Sequence, residues 1–66
     1  MQIFVNGKPM NVREGITVRD LLIELGIETR GTAVEINREI APKAGHGERI
    51  ICEEDRIEII RMVGGG

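Results

Sequence analysis

The sequence has no tryptophan, no tyrosine and one phenylalanine, Phe4. Bases stack on aromatic side chains, so this shortage argues against single-stranded nucleic-acid binding. No basic run stands out either: nine Lys and Arg face eleven Asp and Glu, for a formal net charge of -2. A phosphate-backbone binder needs a concentrated positive stretch. Cys52 is the only cysteine, which excludes an intramolecular disulfide and a cysteine-based metal site. That usage fits a reducing cytosol, and a cytoplasmic location is expected. His46 is the only histidine, and without companions it is not expected to hold a metal. No apolar stretch approaches the roughly 20 residues that span a bilayer. Met1-Gln2-Ile3-Phe4-Val5 enters a strand-like pattern directly, without the charged and apolar regions of a signal peptide. Neither nucleic acid nor membrane is expected as a partner.

What remains is a 66-residue chain of ordinary soluble composition. At this length folding buries only about 60% of the unfolded surface, so one compact core with short loops is expected. Met1, Ile3 and Val5 alternate with Gln2 and Phe4, which predicts a strand. Asn6-Gly7 then signals a tight hairpin turn, because both positions of a type I′ turn need positive φ. Met10 and Val12 mark the return strand, with Pro9 near its start.

Thr17-Val18-Arg19-Asp20 has the spacing of a capping box, and Ile16 and Leu21 sit where a hydrophobic staple would place them. Val18, Leu21, Leu22 and Leu25 form an apolar stripe at helical spacing. Gly26 falls at the left-handed C-terminal cap, with Ile27 as its apolar contact to Leu22. These signals predict a helix at 18–25. Thr32 to Ile36 reads as a third strand and Asn37-Arg38 as a turn. Ile40 begins a short strand ended by Pro42. Residues 43–49 read as loop, Glu53-Glu54-Asp55 as an acidic, solvated turn, and Arg56 to Met62 as the last strand. Cys52, beside Ile51, is expected to be a small buried or half-buried residue.

One helix can cover one face of a small mixed sheet. The expected architecture is α+β: a single β-grasp domain over residues 1–63, with four to five strands and one main helix. Its first and last strands should lie parallel in the middle of the sheet, which accounts for their β-branched residues.

The chain ends Gly64-Gly65-Gly66. Without side chains, these residues let a partner close tightly around them, and they sample almost any backbone angle. They read as a flexible tail. A glycine carboxylate on such a thread can enter a narrow channel, attack the α-phosphorus of ATP and become an acyl-adenylate. The plain alternative is a tail without function, since termini are commonly disordered.

The hairpin-helix-strand order with its Gly-Gly end resembles ubiquitin-like proteins. The closer resemblance is to the ThiS family, the bacterial sulfur carriers of thiamin synthesis. It covers nearly the whole chain. The residues that carry it are Val34-Glu35-Ile36-Asn37-Arg38-Glu39-Ile40-Ala41-Pro42, the acidic turn before Arg56-Ile57-Glu58-Ile59, and the ending Val63-Gly64-Gly65-Gly66.

The resemblance implies that an E1-like (ThiF-like) enzyme adenylates Gly66 with ATP. A persulfide-bearing sulfurtransferase or cysteine desulfurase, as the sulfur source, would then replace AMP with sulfur. Thiazole synthase (ThiG-like) takes that sulfur from the resulting thiocarboxylate. Gly64 and Gly65 would be the thread behind Gly66. The carrier itself is not an enzyme and binds no cofactor. The small subunit of molybdopterin synthase, MoaD, resembles the chain in fold and tail, but its family often carries an aromatic-Pro-Pro segment where this chain has Ile60-Arg61-Met62-Val63. A ubiquitin-like modifier or plain binding module is the further alternative.

Phe4, Ile60 and Met62 alternate out of phase with the core and are expected to form an apolar docking patch. The alternative is that they are scattered surface residues of no consequence. Arg61, close to the thread, is a candidate for pairing with an acidic partner, or a solvated strand charge.

Overall fold

The computed structural model describes residues 1–62. The expected Gly64–Gly66 tail and the domain limit at residue 63 lie outside them. Strands β1 (Gln2–Val5) and β2 (Lys8–Asn11) form the hairpin. Its turn is made by Asn6 and Gly7, at φ 51 and 83, so the Asn-Gly pair sits where a type I′ turn requires it. Helix α1 (Val18–Glu24) follows, then β3 (Thr32–Ile36), β4 (Glu39–Ile40), a 3-10 turn at Lys43–Gly45, and β5 (Arg56–Arg61). The five strands lie in the order β2-β1-β5-β3-β4. β5 runs parallel to β1 and antiparallel to β3. This is the expected β-grasp, with first and last strands side by side.

Both ends of α1 are built by local chemistry. The Thr17 hydroxyl accepts the Asp20 N–H at 3.1 Å, and the Asp20 carboxylate accepts the Thr17 N–H at 3.2 Å. Ile16 and Leu21, the staple pair, are fully buried. At the other end Gly26, at φ 70, takes the left-handed position. The Gly26 and Ile27 N–H groups donate to the Ile23 and Leu22 carbonyls at 3.0 and 2.9 Å, the paired bonds of a Schellman cap. The helix stops one residue short of the expected 25, with Leu25 as its cap.

The core lies between α1 and one face of the sheet. Ile3, Val34, Ile36 and Ile57 from the strands pack with Ile16, Val18, Leu21, Leu22 and Ile51. Each such side chain contributes roughly 1.5–3 kcal/mol on burial.

Two expectations fail in the stretch between β4 and β5. Residues 43–49 are not simply loop: the 3-10 turn brings His46 inside, at 3% exposure. Cys52 is exposed. The Ile51 N–H donates to the Ile16 carbonyl at 2.9 Å, which turns Ile51 into the core. The Cys52 N–H instead donates to the Asp55 carboxylate at 2.8 Å, so Cys52 opens the acidic turn on the outside.

Candidate functional site

The site is the region where β5 hands the chain on to Val63-Gly64-Gly65-Gly66. β5 is the middle strand, paired on both sides, and this makes its end a fixed point. Its last ladder pair is Thr32 with Arg61. The Met62 N–H then donates to the Gly31 carbonyl at 2.8 Å, holding the backbone for one further residue. On the β1 side the hairpin ends early, at Val5. There the Asn6 side-chain oxygen accepts the Ile59 N–H at 2.8 Å, continuing the ladder after the backbone of β1 has turned away.

Alternation divides the predicted docking residues between two faces. Ile60 lies opposite Ala33 on the face without a helix and is 42% exposed; Met62, beyond the strand, is 58% exposed. Both lie at the glycine end of β5, and Met62 lines a depression with Arg61, Arg30 and Gly31. Phe4 is on the same face but pairs with Arg56, whose guanidinium sits 4.8 Å from the ring centroid. Arg56 and Ile60 are four residues apart, roughly 13 Å along a strand at 3.3 Å per residue. Between them Glu58 faces Glu35. The structure therefore sets Ile60 and Met62 at the glycine end of β5 and Phe4 at the far end. Ile40, opposite Glu35 and 60% exposed, is an apolar residue on this face that sequence reasoning placed only in a short strand. Arg61 points the other way, in phase with Ile57 and Ile59, beside Thr32, Arg30 and Gly31. Gly64, Gly65 and Gly66 lie outside the described residues.

The local electrostatics are structural. Arg13 binds Glu24 and lies 3.6 Å from Asp20, tying the chain after the hairpin to α1. The bond to Glu24 raises the Arg13 pKa. The Asp20 carboxyl is held below its ordinary value, first by the Thr17 backbone N–H and then by the Thr17 side chain. His46 is pinned by a 2.9 Å bond from Nε2 to the Ala41 carbonyl. Since a carbonyl only accepts, Nε2 carries the hydrogen. Nδ1 is buried with no partner among the described residues. Among those residues no group of three or more His, Cys, Asp or Glu is placed to hold a metal ion. No helix among them is long and apolar enough to cross a membrane.

A five-stranded mixed sheet grasping one helix, with its middle strand leading into a glycine run, defines the ubiquitin-like β-grasp class. Within that class the chain belongs to the ThiS family, whose model matches residues 3–66; this is the thiamin branch of the two sulfur-carrier resemblances read from the sequence. The chain is 33% identical to the sulfur carrier protein ThiS of Escherichia coli (strain K12), over the full length of both. The crystal structure of the thiamine biosynthesis protein ThiS from Geobacter metallireducens superposes with a TM-score of 0.89 at 30% identity, covering 100% of both chains. A thiazole synthase of Paramagnetospirillum magneticum is 39% identical over all of this chain, which covers 20% of that protein. The chain thus spans about a fifth of the length of the thiazole synthases it matches.

Proposed function

We propose that this chain carries sulfur as a thiocarboxylate on Gly66 and delivers it to the thiazole of thiamin. The observation that carries this reading is the ThiS-family match over residues 3–66, which takes in Gly64, Gly65 and Gly66. In this reading the Gly66 carboxylate oxygen attacks the α-phosphorus of ATP in an E1-like enzyme, and pyrophosphate leaves. The terminal sulfur of a sulfurtransferase persulfide then displaces AMP to give an acyl disulfide, and a thiol attacks the sulfurtransferase sulfur, forming a disulfide and leaving the thiocarboxylate on Gly66. Gly64 and Gly65 thread the channel, because any side chain there would widen the thread. The chain supplies a reactive end and a docking surface, and the catalytic groups belong to its partners in the cytoplasm.

Thiazole synthase is the proposed recipient. The relatives named thiazole synthase match all of this chain within a longer protein, and joining carrier to synthase would raise the effective concentration of the sulfur donor. Ile60 and Met62 are proposed as the apolar contacts beside the threaded end, with Phe4 further along the same face. Arg61 contacts the partner from the opposite face. The test is to offer the thiocarboxylated chain to thiazole synthase with its other substrates. Thiazole formation with return of the chain to the carboxylate is expected. A thiocarboxylate that persists while no thiazole appears would overturn the assignment of the recipient.

A further inference from the structure

We infer that the helix-bearing side of the domain is a second docking surface, matched to a carboxylate-rich protein rim around the channel that receives the glycine end. The choice of partner rests on the sulfur-carrier reading.

Three open depressions run in series along this side. The first, about 350 Å³, is lined by Arg61 and Met62 together with Arg30. Arg30 also lines the second, about 370 Å³, with Arg19 and Ile23. Arg19 and Arg30 both line the third and largest, about 800 Å³, which reaches Lys43 and His46. Arg61, Arg30, Arg19 and Lys43 therefore form one continuous tract. It starts at the last described residues before the glycines and runs to the 3-10 turn.

The cations of the tract outnumber the acids. Among the described residues the ion pairs are those of Arg13, and none of the four tract cations takes part in one. Glu28 and Glu48 are the only acids lining the depressions. On the opposite face of the sheet Glu35 and Glu58 stand side by side. A chain of net charge -2 has thus gathered four cations on one side. The ground beneath them is fixed, because the Arg19 N–H donates to the His46 carbonyl at 3.0 Å and the buried ring holds Ala41.

The class of partner follows from the form of the tract. Small-molecule sites are concave and mostly apolar, with a few polar groups held in place. Here exposed, long-chain cations border open depressions, the form suited to electrostatic steering of another macromolecule. Nucleic acid is disfavoured by the net negative charge, the lack of stacking aromatics and the two acids within the tract. A carboxylate-rich protein surface fits. Because the tract begins where the chain passes to its glycines, a partner that takes in the end brings its rim against these cations.

The test uses Arg19→Glu, Arg30→Glu and Arg30→Lys, with thermal melts to confirm folding. Sulfur loading by the E1-like enzyme and sulfur delivery to thiazole synthase are measured at low and high ionic strength. At low salt the Glu variants should lose about tenfold in kcat/KM with at least one enzyme while kcat holds. The gap should close at high salt, and Arg30→Lys should behave as the unaltered chain. Equal kcat/KM with both enzymes at low salt would overturn the inference, as would a loss that salt does not change. Salt-sensitive binding of a DNA duplex, lost in the Glu variants while loading stays normal, would reassign the tract to nucleic acid. If the unaltered chain gains no sulfur, the carrier reading fails instead. Direct titration with the two enzymes then decides: salt-sensitive binding weakened by Arg19→Glu supports the tract, and its absence overturns it.

Discussion

The Asn6 side-chain oxygen accepts the Ile59 N–H at 2.8 Å, so the first residue of the hairpin turn pins the strand that leads to the glycines. Asn suits this position twice. It tolerates φ 51, and its short amide reaches the ladder that Val5 leaves open. Replacing it with Ala removes the bond and keeps the unfavourable φ. Asn6→Ala should cost about 1–2 kcal/mol and speed amide exchange at Ile59. Unchanged exchange at Ile59 would mean that the strand does not depend on the turn.

The capping box makes α1 sensitive to substitution and to acid. Thr17→Ala should lower stability by about 1 kcal/mol, read by chemical denaturation. The folded Asp20 carboxyl has a lowered pKa because Thr17 donates to the carboxylate. Its stabilising effect is full above the unfolded carboxyl value and is lost as pH falls through the folded value. Asp20→Asn should therefore cost most near neutrality, with the gap to the unaltered chain narrowing in acid. A gap that widens in acid would contradict this assignment.

His46 is a structural residue. His46→Ala would leave the buried Ala41 carbonyl without its side-chain donor and empty the space under the 3-10 turn. A loss of about 2 kcal/mol is expected, with faster exchange confined to residues around 41–49. A melting temperature equal to that of the unaltered chain would mean that the ring does not hold this turn.

Ile60 stands opposite Ala33 on the uncovered face, so a charge there meets solvent. Ile60→Asp should alter stability by less than about 1 kcal/mol and weaken binding of the E1-like enzyme. Unfolding by several kcal/mol would place Ile60 in the core and shift the register by one.

The elements legible in the sequence are those specified by neighbours in the chain. Asn6-Gly7, the Thr17/Asp20 box and Gly26 each act within a few residues, and the turn, cap and helix end follow from them. The alternation within β5 likewise separates the inward Ile57 and Ile59 from the outward Ile60. What was not legible depends on contacts distant in sequence. The Ile51 bond to Ile16 decides that Cys52 faces outward, and His46 reads only as part of the 43–49 loop, with no sign of its burial. Alternation showed that Phe4 and Ile60 share a face. It did not show their separation along β5, which is set by the pairing of Phe4 with Arg56. The tract from Arg61 to Lys43 assembles residues from a strand, a loop, a helix and the 3-10 turn, and no sequence pattern joins them.

The most direct test is the intact mass of the chain after incubation with an E1-like activating enzyme, ATP, a persulfide sulfur donor and a thiol reductant, beside a variant lacking Gly66. The account predicts that the unaltered chain gains the mass of one oxygen exchanged for sulfur, on its last residue, while the shortened chain melts identically and gains nothing. Sulfur gained by the shortened chain, or none gained by the unaltered one, would contradict it.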